Sequence, residues 1–284
     1  MTHPEHKVPD FLRVPPFIQP DSGIFRILSS DIPAVKGAPS CPASVMKDKL
    51  PIMQIKNVVF DYGSVLVWPP SSNACSRVAE AAGISEQLLM ERYFSERSAY
   101  DRDTISNIEY WQRITRGYPA AEDDKLLHKL AEWDVEIWSE PNEATVNWLP
   151  ILKKAGLTLA VLSNMPESFC SALEERDLWL QTFNHRIFSG RVKLNKPEPA
   201  IYQLLLDTLS TESAPCLPEE VLFLDDLKDN VDGARQMGIN AELYNVFTGG
   251  LTAIAEKYGL PIPEELPPSE DRLRDSACAP HHHY

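Results

Sequence analysis

Basic residues are scarce in this chain. Its 284 residues carry 27 lysines and arginines against 41 aspartates and glutamates, a formal net charge of −14 at pH 7. A surface of that sign repels phosphate backbones and anionic membranes, so neither nucleic-acid nor membrane partners are expected. No apolar run approaches the roughly 20 residues of a spanning helix. Paired cysteines are missing too. Cys41, Cys75, Cys170, Cys216 and Cys278 are odd in number and scattered, with no CxxC, which argues against a zinc ribbon or a disulfide framework. Free thiols in a reducing compartment follow from that usage. The start has no basic patch leading into an apolar segment, and it carries Glu5, Asp10 and Asp21, acids that transit peptides avoid. A cytoplasmic location is the expectation. What is present is 43% hydrophobic and 24% charged residues, enough for a packed core and too apolar for wholesale disorder.

Proline punctuates both ends. Residues 1–52 contain Pro4, Pro9, Pro15, Pro16, Pro20, Pro33, Pro39 and Pro42, which break any long helix, and read as an irregular extension. Phe17, Ile24, Phe25 and Ile27 are its candidate contacts with a folded body. Residues 263–284 are again rich in proline and charge and end in His281, His282, His283 and Tyr284, read as a flexible, solvated tail. Between them, Ile55–Phe60 is a β-branched run that stops at Asp61-Tyr62-Gly63-Ser64, the pattern of a buried strand meeting a turn. From Ser72 to about Leu152, apolar positions recur at threes and fours over Ala74–Ala82, Ser85–Phe94, Asn107–Arg116, Asp123–Trp133 and Glu143–Ala155, predicting helices. Strand and helix patterns then alternate: Leu157–Leu162, Glu167–Arg176, Arg186–Phe188, Pro199–Leu209, Glu220–Leu224, Asn230–Met237 and Asn240–Leu243. The alternation predicts an α/β, Rossmann-like parallel sheet, built from residues 53–70 and 150–262, with a small α-helical cap inserted over 71–149.

Ligands of open α/β sheets sit at the carboxyl ends of strands. Asp61 follows the first predicted strand, Ser163 and Asn164 the second. Lys193 and Lys196 follow the third segment, and Asp225 and Asp226 the fourth. Two acidic strand ends, a hydroxyl and a lysine are thus expected to converge on one crevice. A carboxylate can attack phosphorus, and Mg²⁺ prefers hard oxygen ligands. Asp61 is the candidate nucleophile, and Asp61, Asp226 and the Gly63 carbonyl are candidate metal ligands. Asp225 is a further ligand, a supporting acid, or a cap on the helix near Asn230. Asn230 orients Asp226, reaches the ion through water, or simply starts a helix. Ser163 and the Asn164 amide donate to phosphoryl oxygens or form a turn, and Lys196 neutralises charge or lies on the surface.

The same four segments resemble, in order and spacing, the four motifs of the haloacid dehalogenase (HAD) superfamily. They are Phe60-Asp61-Tyr62-Gly63-Ser64-Val65-Leu66-Val67, Leu162-Ser163-Asn164, Lys196-Pro197-Glu198-Pro199-Ala200-Ile201-Tyr202, and Leu224-Asp225-Asp226 followed by Asn230, Gly233, Ala234 and Gly238. The likeness covers roughly residues 53–250. It implies subfamily I with a small helical cap. The expected activity is that of a Mg²⁺-dependent phosphatase forming an aspartyl-phosphate on Asp61, with a small phosphorylated metabolite as its substrate. In the cap, Arg97, Tyr100, Arg102, Trp111 and Arg113 cluster between helical segments. The resemblance turns this region toward the crevice, where Arg97, Arg102 and Arg113 would meet an anionic group or sugar hydroxyls. Exposed helix-face arginines are the alternative. Trp133, Trp138 and Trp148 read as core or hinge packing.

One position departs from the pattern. Phosphatases of the family usually carry a second aspartate two residues after the nucleophile, which protonates the leaving oxygen. Here that residue is Gly63. A branch with a Phe-Asp-Leu-Gly-Gly-Val-like first motif also lacks this acid and includes sugar-phosphate phosphatases, and the chain looks most like that branch. The gap predicts good turnover with aryl or acyl phosphates and poor turnover with alkyl ones. It also predicts a gain for Gly63→Asp of at most about 10²–10⁴, subject to strain if Gly63 has φ > 0. If another residue supplies the proton, Asp225 is the first candidate. Two alternatives stay open: a 2-haloacid dehalogenase-type hydrolase, and a non-catalytic binding or regulatory relative.

Overall fold

The computed structural model describes residues 54–264 apart from positions 212, 213, 245 and 248. The N-terminal extension with Phe17, Ile24, Phe25 and Ile27, and the tail with its three histidines, lie outside the described residues.

Among the described residues, five short strands carry the fold: β1 (Asn57–Phe60), β2 (Thr158–Ser163), β3 (His185–Phe188), β4 (Val221–Asp225) and β5 (Asn240–Leu243). They form one all-parallel sheet in the order β3-β2-β1-β4-β5. The sequence explains the arrangement. A strand covered on both faces reads as a continuous apolar run, because successive side chains point to opposite sides. Val58 and Phe60 of β1 join Leu159 and Val161 of β2 and Leu222 and Leu224 of β4 on one face. Val59, Ala160, Leu162, Val221 and Phe223 point into the other.

Between β1 and β2 the chain runs through α1 (Ser72–Ala82), α2 (Glu86–Ser95), α3 (Arg97–Asp101), α4 (Asn107–Ile114), α5 (Asp124–Ile137) and α6 (Glu143–Lys154). Four of these starts are written in the sequence. Ser71, Ser85, Ser106 and Asp123 each accept a backbone N–H from the first turn of the following helix, which satisfies one of the donors a helix start leaves open. The five-residue α3 was not legible from periodicity, and α5 runs four residues past the expected end.

The remaining described residues add α7 (Glu167–Arg176), α8 (Ser189–Val192), α9 (Pro199–Leu209), α10 (Lys228–Gln236) and α11 (Leu251–Tyr258). Trp148, Leu149 and Leu152 of α6, with Leu251 and Ala255 of α11, pack on the Val58 face; Ile201, Tyr202 and Leu205 of α9 and Val231 and Ala234 of α10 cover the Val59 face. The helical block joins the sheet through two adjacent segments. Trp68 N–H donates to the Glu140 carbonyl at 2.8 Å, and Asn142 N–H to the Leu66 carbonyl at 2.9 Å. Among the described residues, no helix is long and apolar enough to cross a membrane, and Cys170 and Cys216 are free thiols.

Candidate active site

The order β3-β2-β1-β4-β5 places the reversal of connection direction between β1 and β4. Crevices at the carboxyl ends of strands open at such points. Asp61 follows β1, and its N–H donates to the Leu224 carbonyl at 2.9 Å, so the first and fourth strand ends are locked side by side. One carboxylate oxygen from each of Asp61, Asp225 and Asp226 lies within 4.8 Å of the others. Ligands on opposite sides of one Mg²⁺ are about 4.2 Å apart, twice the usual bond length, so small side-chain adjustments suffice for a shared ion. The charges point the same way. Among the described residues, three clustered carboxylates face one buried ammonium, that of Lys196, a formal excess of two negative charges. Burial, then the neighbouring Asp225 and Asp61, hold the Asp226 carboxyl well above the ordinary aspartate range. A hard divalent cation is the group that would relieve this.

Lys196 is 4% exposed. Its Nζ lies 2.8 Å from Asp61 Oδ1 and 2.6 Å from Asp225 Oδ2. Burial opposes its charge, but the Asp225 and Asp61 carboxylates more than offset that, and its pKa stands above the usual lysine value. Asn164 fixes the lysine's backbone from both sides. Its Nδ2 donates to the Lys196 carbonyl at 2.9 Å, and its Oδ1 accepts the Lys196 N–H at 2.8 Å. Asp225 does not cap α10; it accepts from the Leu227 N–H and from Asn230 Nδ2, each at 2.9 Å. Asn230 thus orients Asp225, whereas Asp226 was the expected partner. Asp226 is held instead by the Ser64 hydroxyl, and Ser64 sits at φ 57°, a region serine rarely occupies.

Gly63 does not have a positive φ, so the anticipated backbone strain is absent. What stands in its way is Trp138. A Cβ on Gly63 would lie 3.1 Å from Cζ3 of that indole. Trp138 is pinned because its Nε1 donates to Tyr93 Oη at 2.9 Å. Gly233 has a comparable role behind the lysine, where a Cβ would meet Pro197 Cβ at 3.0 Å and its carbonyl oxygen at 3.1 Å. Gly233→Ala is therefore expected to cost about 1–3 kcal/mol, as overpacking does, with Lys196 displaced as well. Urea unfolding of Gly233→Ala beside the parent protein checks the first part.

Asp61, Gly63, Ser163, Asn164, Lys196, Asp226 and Asn230 border one cavity of about 300 Å³. Its other wall comes from the helices between β1 and β2. Of the three arginines expected there, Arg97 borders the cavity, and the other two are committed elsewhere. Arg102 pairs with Glu198 and donates to the Lys193 carbonyl at 3.1 Å. Arg113 pairs with Glu109 at 2.7 Å and Glu96 at 3.1 Å on an open face. Even Arg97 is tied to Asp101 at 2.5 Å and ringed by Tyr93, Tyr100, Tyr110 and Phe169, with centroids 5.3–5.9 Å away. The sequence reading missed Tyr93, Phe169 and Asp101 as wall residues and took Trp138 for hinge or core packing. The Arg97 and Asp101 spacing of four on one helix was the available signal.

A protein-family model described as haloacid dehalogenase-like hydrolase matches residues 55–238. The mouse bifunctional epoxide hydrolase 2 is 26% identical over 231 residues, 75% of this chain. The chain spans only 40% of that protein. (S)-2-haloacid dehalogenase 1 of Pseudomonas sp. (strain CBS-3) is 29% identical over 67% of this chain and 85% of its own length. Phosphatases match as well. Among solved structures, a HAD family enzyme of Bacteroides thetaiotaomicron in complex with magnesium and inorganic phosphate superposes with a TM-score of 0.53. It is 20% identical over 68% of this chain and 95% of that one. With the family model covering most of the described residues and the sheet carrying its four motif segments to one crevice, the chain belongs to the haloacid dehalogenase-like hydrolases.

Proposed function

We propose that the chain is a Mg²⁺-dependent phosphatase that passes the phosphoryl group of a small phosphorylated metabolite to Asp61 and then to water. The observation that carries this reading is that Asp61 and Asp226 reach the floor of one cavity beside Ser163, Asn164 and Lys196, with Asp225 clustered next to them and paired to the same lysine. In this reading residues 53–70 and 150–262 are the catalytic core and 71–149 the cap. A cavity of about 300 Å³ is at the small end for ligand sites and suits a metabolite of the sugar-phosphate class.

Asp61, Asp226 and the Gly63 carbonyl, with Asp225 beside them, would hold Mg²⁺, which neutralises charge on the phosphoryl oxygens. Lys196 adds a fixed positive charge and aligns Asp61 for attack. Ser163 Oγ and the Asn164 backbone N–H donate to the phosphoryl oxygens; the Asn164 side chain is spent on the Lys196 backbone. In the first step an Asp61 oxygen bonds to phosphorus, and the bond from phosphorus to the leaving oxygen breaks with its electron pair. In the second, water bonds to phosphorus and Asp61 leaves as a carboxylate.

A second reading has Asp61 attack a halogen-bearing carbon. The long match to the Pseudomonas dehalogenase favours it; the clustered carboxylates do not, because that chemistry requires no metal. A screen over sugar phosphates, nucleotides, acyl phosphates and 2-haloacids, with Mg²⁺ and with a chelator, separates them. Phosphate release lost in chelator is the expected result, with a thermal midpoint raised by several degrees at saturating Mg²⁺. Halide release that survives chelator would contradict it. Mg²⁺ binding without any turnover would mark a non-catalytic relative.

Trp138 also changes the expectation for Gly63→Asp. Because even a Cβ at this position would lie 3.1 Å from the indole, an aspartate there needs Trp138 to shift, and this substitution is expected to raise alkyl phosphate turnover less than tenfold, far below the 10²–10⁴ or so of a well-placed acid. Kinetics of the variant on an alkyl phosphate measure this directly.

A further inference from the structure

We propose that Asp101, on the helical wall of the cavity, is the acid that protonates the leaving oxygen and then accepts a proton from the attacking water. The proposal rests on the phosphatase reading above. It starts from a gap: position 63 supplies no carboxyl group, and Trp138 crowds any side chain that would be added there.

Among the described residues, three acids border the cavity, Asp61, Asp226 and Asp101. The first two are committed to phosphorus and metal, and both lie at strand ends. Asp101 comes from the opposite wall, where a substrate's leaving group would lie once its phosphate is seated on the strand ends. Asp225, the earlier candidate, does not border the cavity. Its oxygens are engaged by Lys196, Asn230 and the Leu227 N–H. The phenols nearby are also committed: Tyr62 Oη donates to Asp177 at 2.9 Å, and Tyr93 Oη to Asp134 at 2.5 Å.

Asp101 is held in register with the catalytic floor. Ser189 Oγ donates to its carbonyl at 2.6 Å, Asn195 Nδ2 donates to the Ser98 carbonyl at 2.9 Å, and Lys193 pairs with Asp103 at 2.7 Å. Arg102 pairs with Glu198 in the same clasp. The segment from Ser98 to Asp103 is thereby fastened to the loop that carries Lys196. Arg97 anchors the carboxylate at 2.5 Å while 10% of the side chain remains open. Burial raises this carboxyl to about 6, Arg97 opposing and Asp134 and Asp61 adding. The phenols of Tyr100 and Tyr110 also face it. Its proton is thus available near neutrality, as an acid catalyst requires.

The step balances. As the bond from phosphorus to the leaving oxygen breaks, that oxygen takes the proton from Asp101. As water attacks the aspartyl-phosphate, the Asp101 carboxylate takes a proton from it, and the acid is restored.

The test is a leaving-group series, from nitrophenyl to alkyl phosphates, on the parent, Asp101→Asn, Asp101→Glu and Asp134→Asn, with folding followed by circular dichroism. The parent is expected to depend only weakly on leaving-group basicity. Asp101→Asn should lose on the order of 10²–10⁴ with alkyl phosphates and less than tenfold with nitrophenyl phosphate. Asp101→Glu should recover part of the alkyl rate. Asp134→Asn, which removes the other carboxylate facing Arg97, should lower all rates alike. A steep dependence in the parent overturns the proposal even if no variant folds, and so does a uniform loss in Asp101→Asn. A parent that turns over no phosphate ester at all overturns the phosphatase reading first.

Discussion

Asp61→Asn is expected to lose turnover by roughly 10⁴-fold or more, the scale on which removing a nucleophile acts, and to remain folded. The substitution keeps shape and volume. It removes the negative charge that Lys196 faces at 2.8 Å, but Lys196 keeps Asp225 at 2.6 Å, so the ammonium is not left alone. Two of the three clustered carboxylates also survive, and the repulsion between them falls. Steady-state kinetics with an aryl phosphate, set beside thermal unfolding of the same sample, check both halves. Near-normal turnover in a folded Asp61→Asn would remove the nucleophile from the account.

Lys196→Met should fail differently, losing activity and stability together. Methionine fills most of the lysine's volume but leaves Asp225, with no exposed surface, facing Asp61 and Asp226 without a counter-charge. Breaking a buried pair by removing one partner typically costs about 3–5 kcal/mol. The loss of a fixed charge at a phosphoryl site adds roughly 10²–10³ in rate. Lys196→Arg is not expected to rescue either, since the guanidinium fork does not fit a niche shaped for one ammonium between two carboxylates. Urea unfolding in the presence of chelator measures the stability term. Kinetics at saturating Mg²⁺ measure the other.

The sheet side of this site was legible because each residue there is the first polar group after an apolar strand. Asp61, Ser163 and Asp225 are placed by β1, β2 and β4 wherever the helices go, and β5 was readable to the residue. The helical wall was not legible in the same way. What α3 presents depends on packing against a loop some ninety positions later in the chain, through Ser98, Asp101 and Arg102, and five residues give no period to read. Arg102 turned to Glu198 for that reason. Arg113 carried a visible warning in Glu109, four residues earlier on its own helix, the spacing at which opposite charges meet. Trp138 looked like packing because tryptophan usually is. Its place over Gly63 follows from how the end of α5 returns beside the first strand's loop, which composition does not reveal. The family's four motifs thus told where the floor is, and the structure was needed to show what stands above it.

The most direct test of the central claim is an acid-quenched single turnover with a phosphate ester and Mg²⁺, followed by mass spectrometry of the peptide that contains Asp61. The account predicts a transient gain of one phosphoryl group on Asp61, absent in Asp61→Asn and absent when chelator replaces Mg²⁺. Phosphate released at the parent's full rate with no phosphoryl group ever found on that peptide, in a quench faster than the turnover, would contradict it.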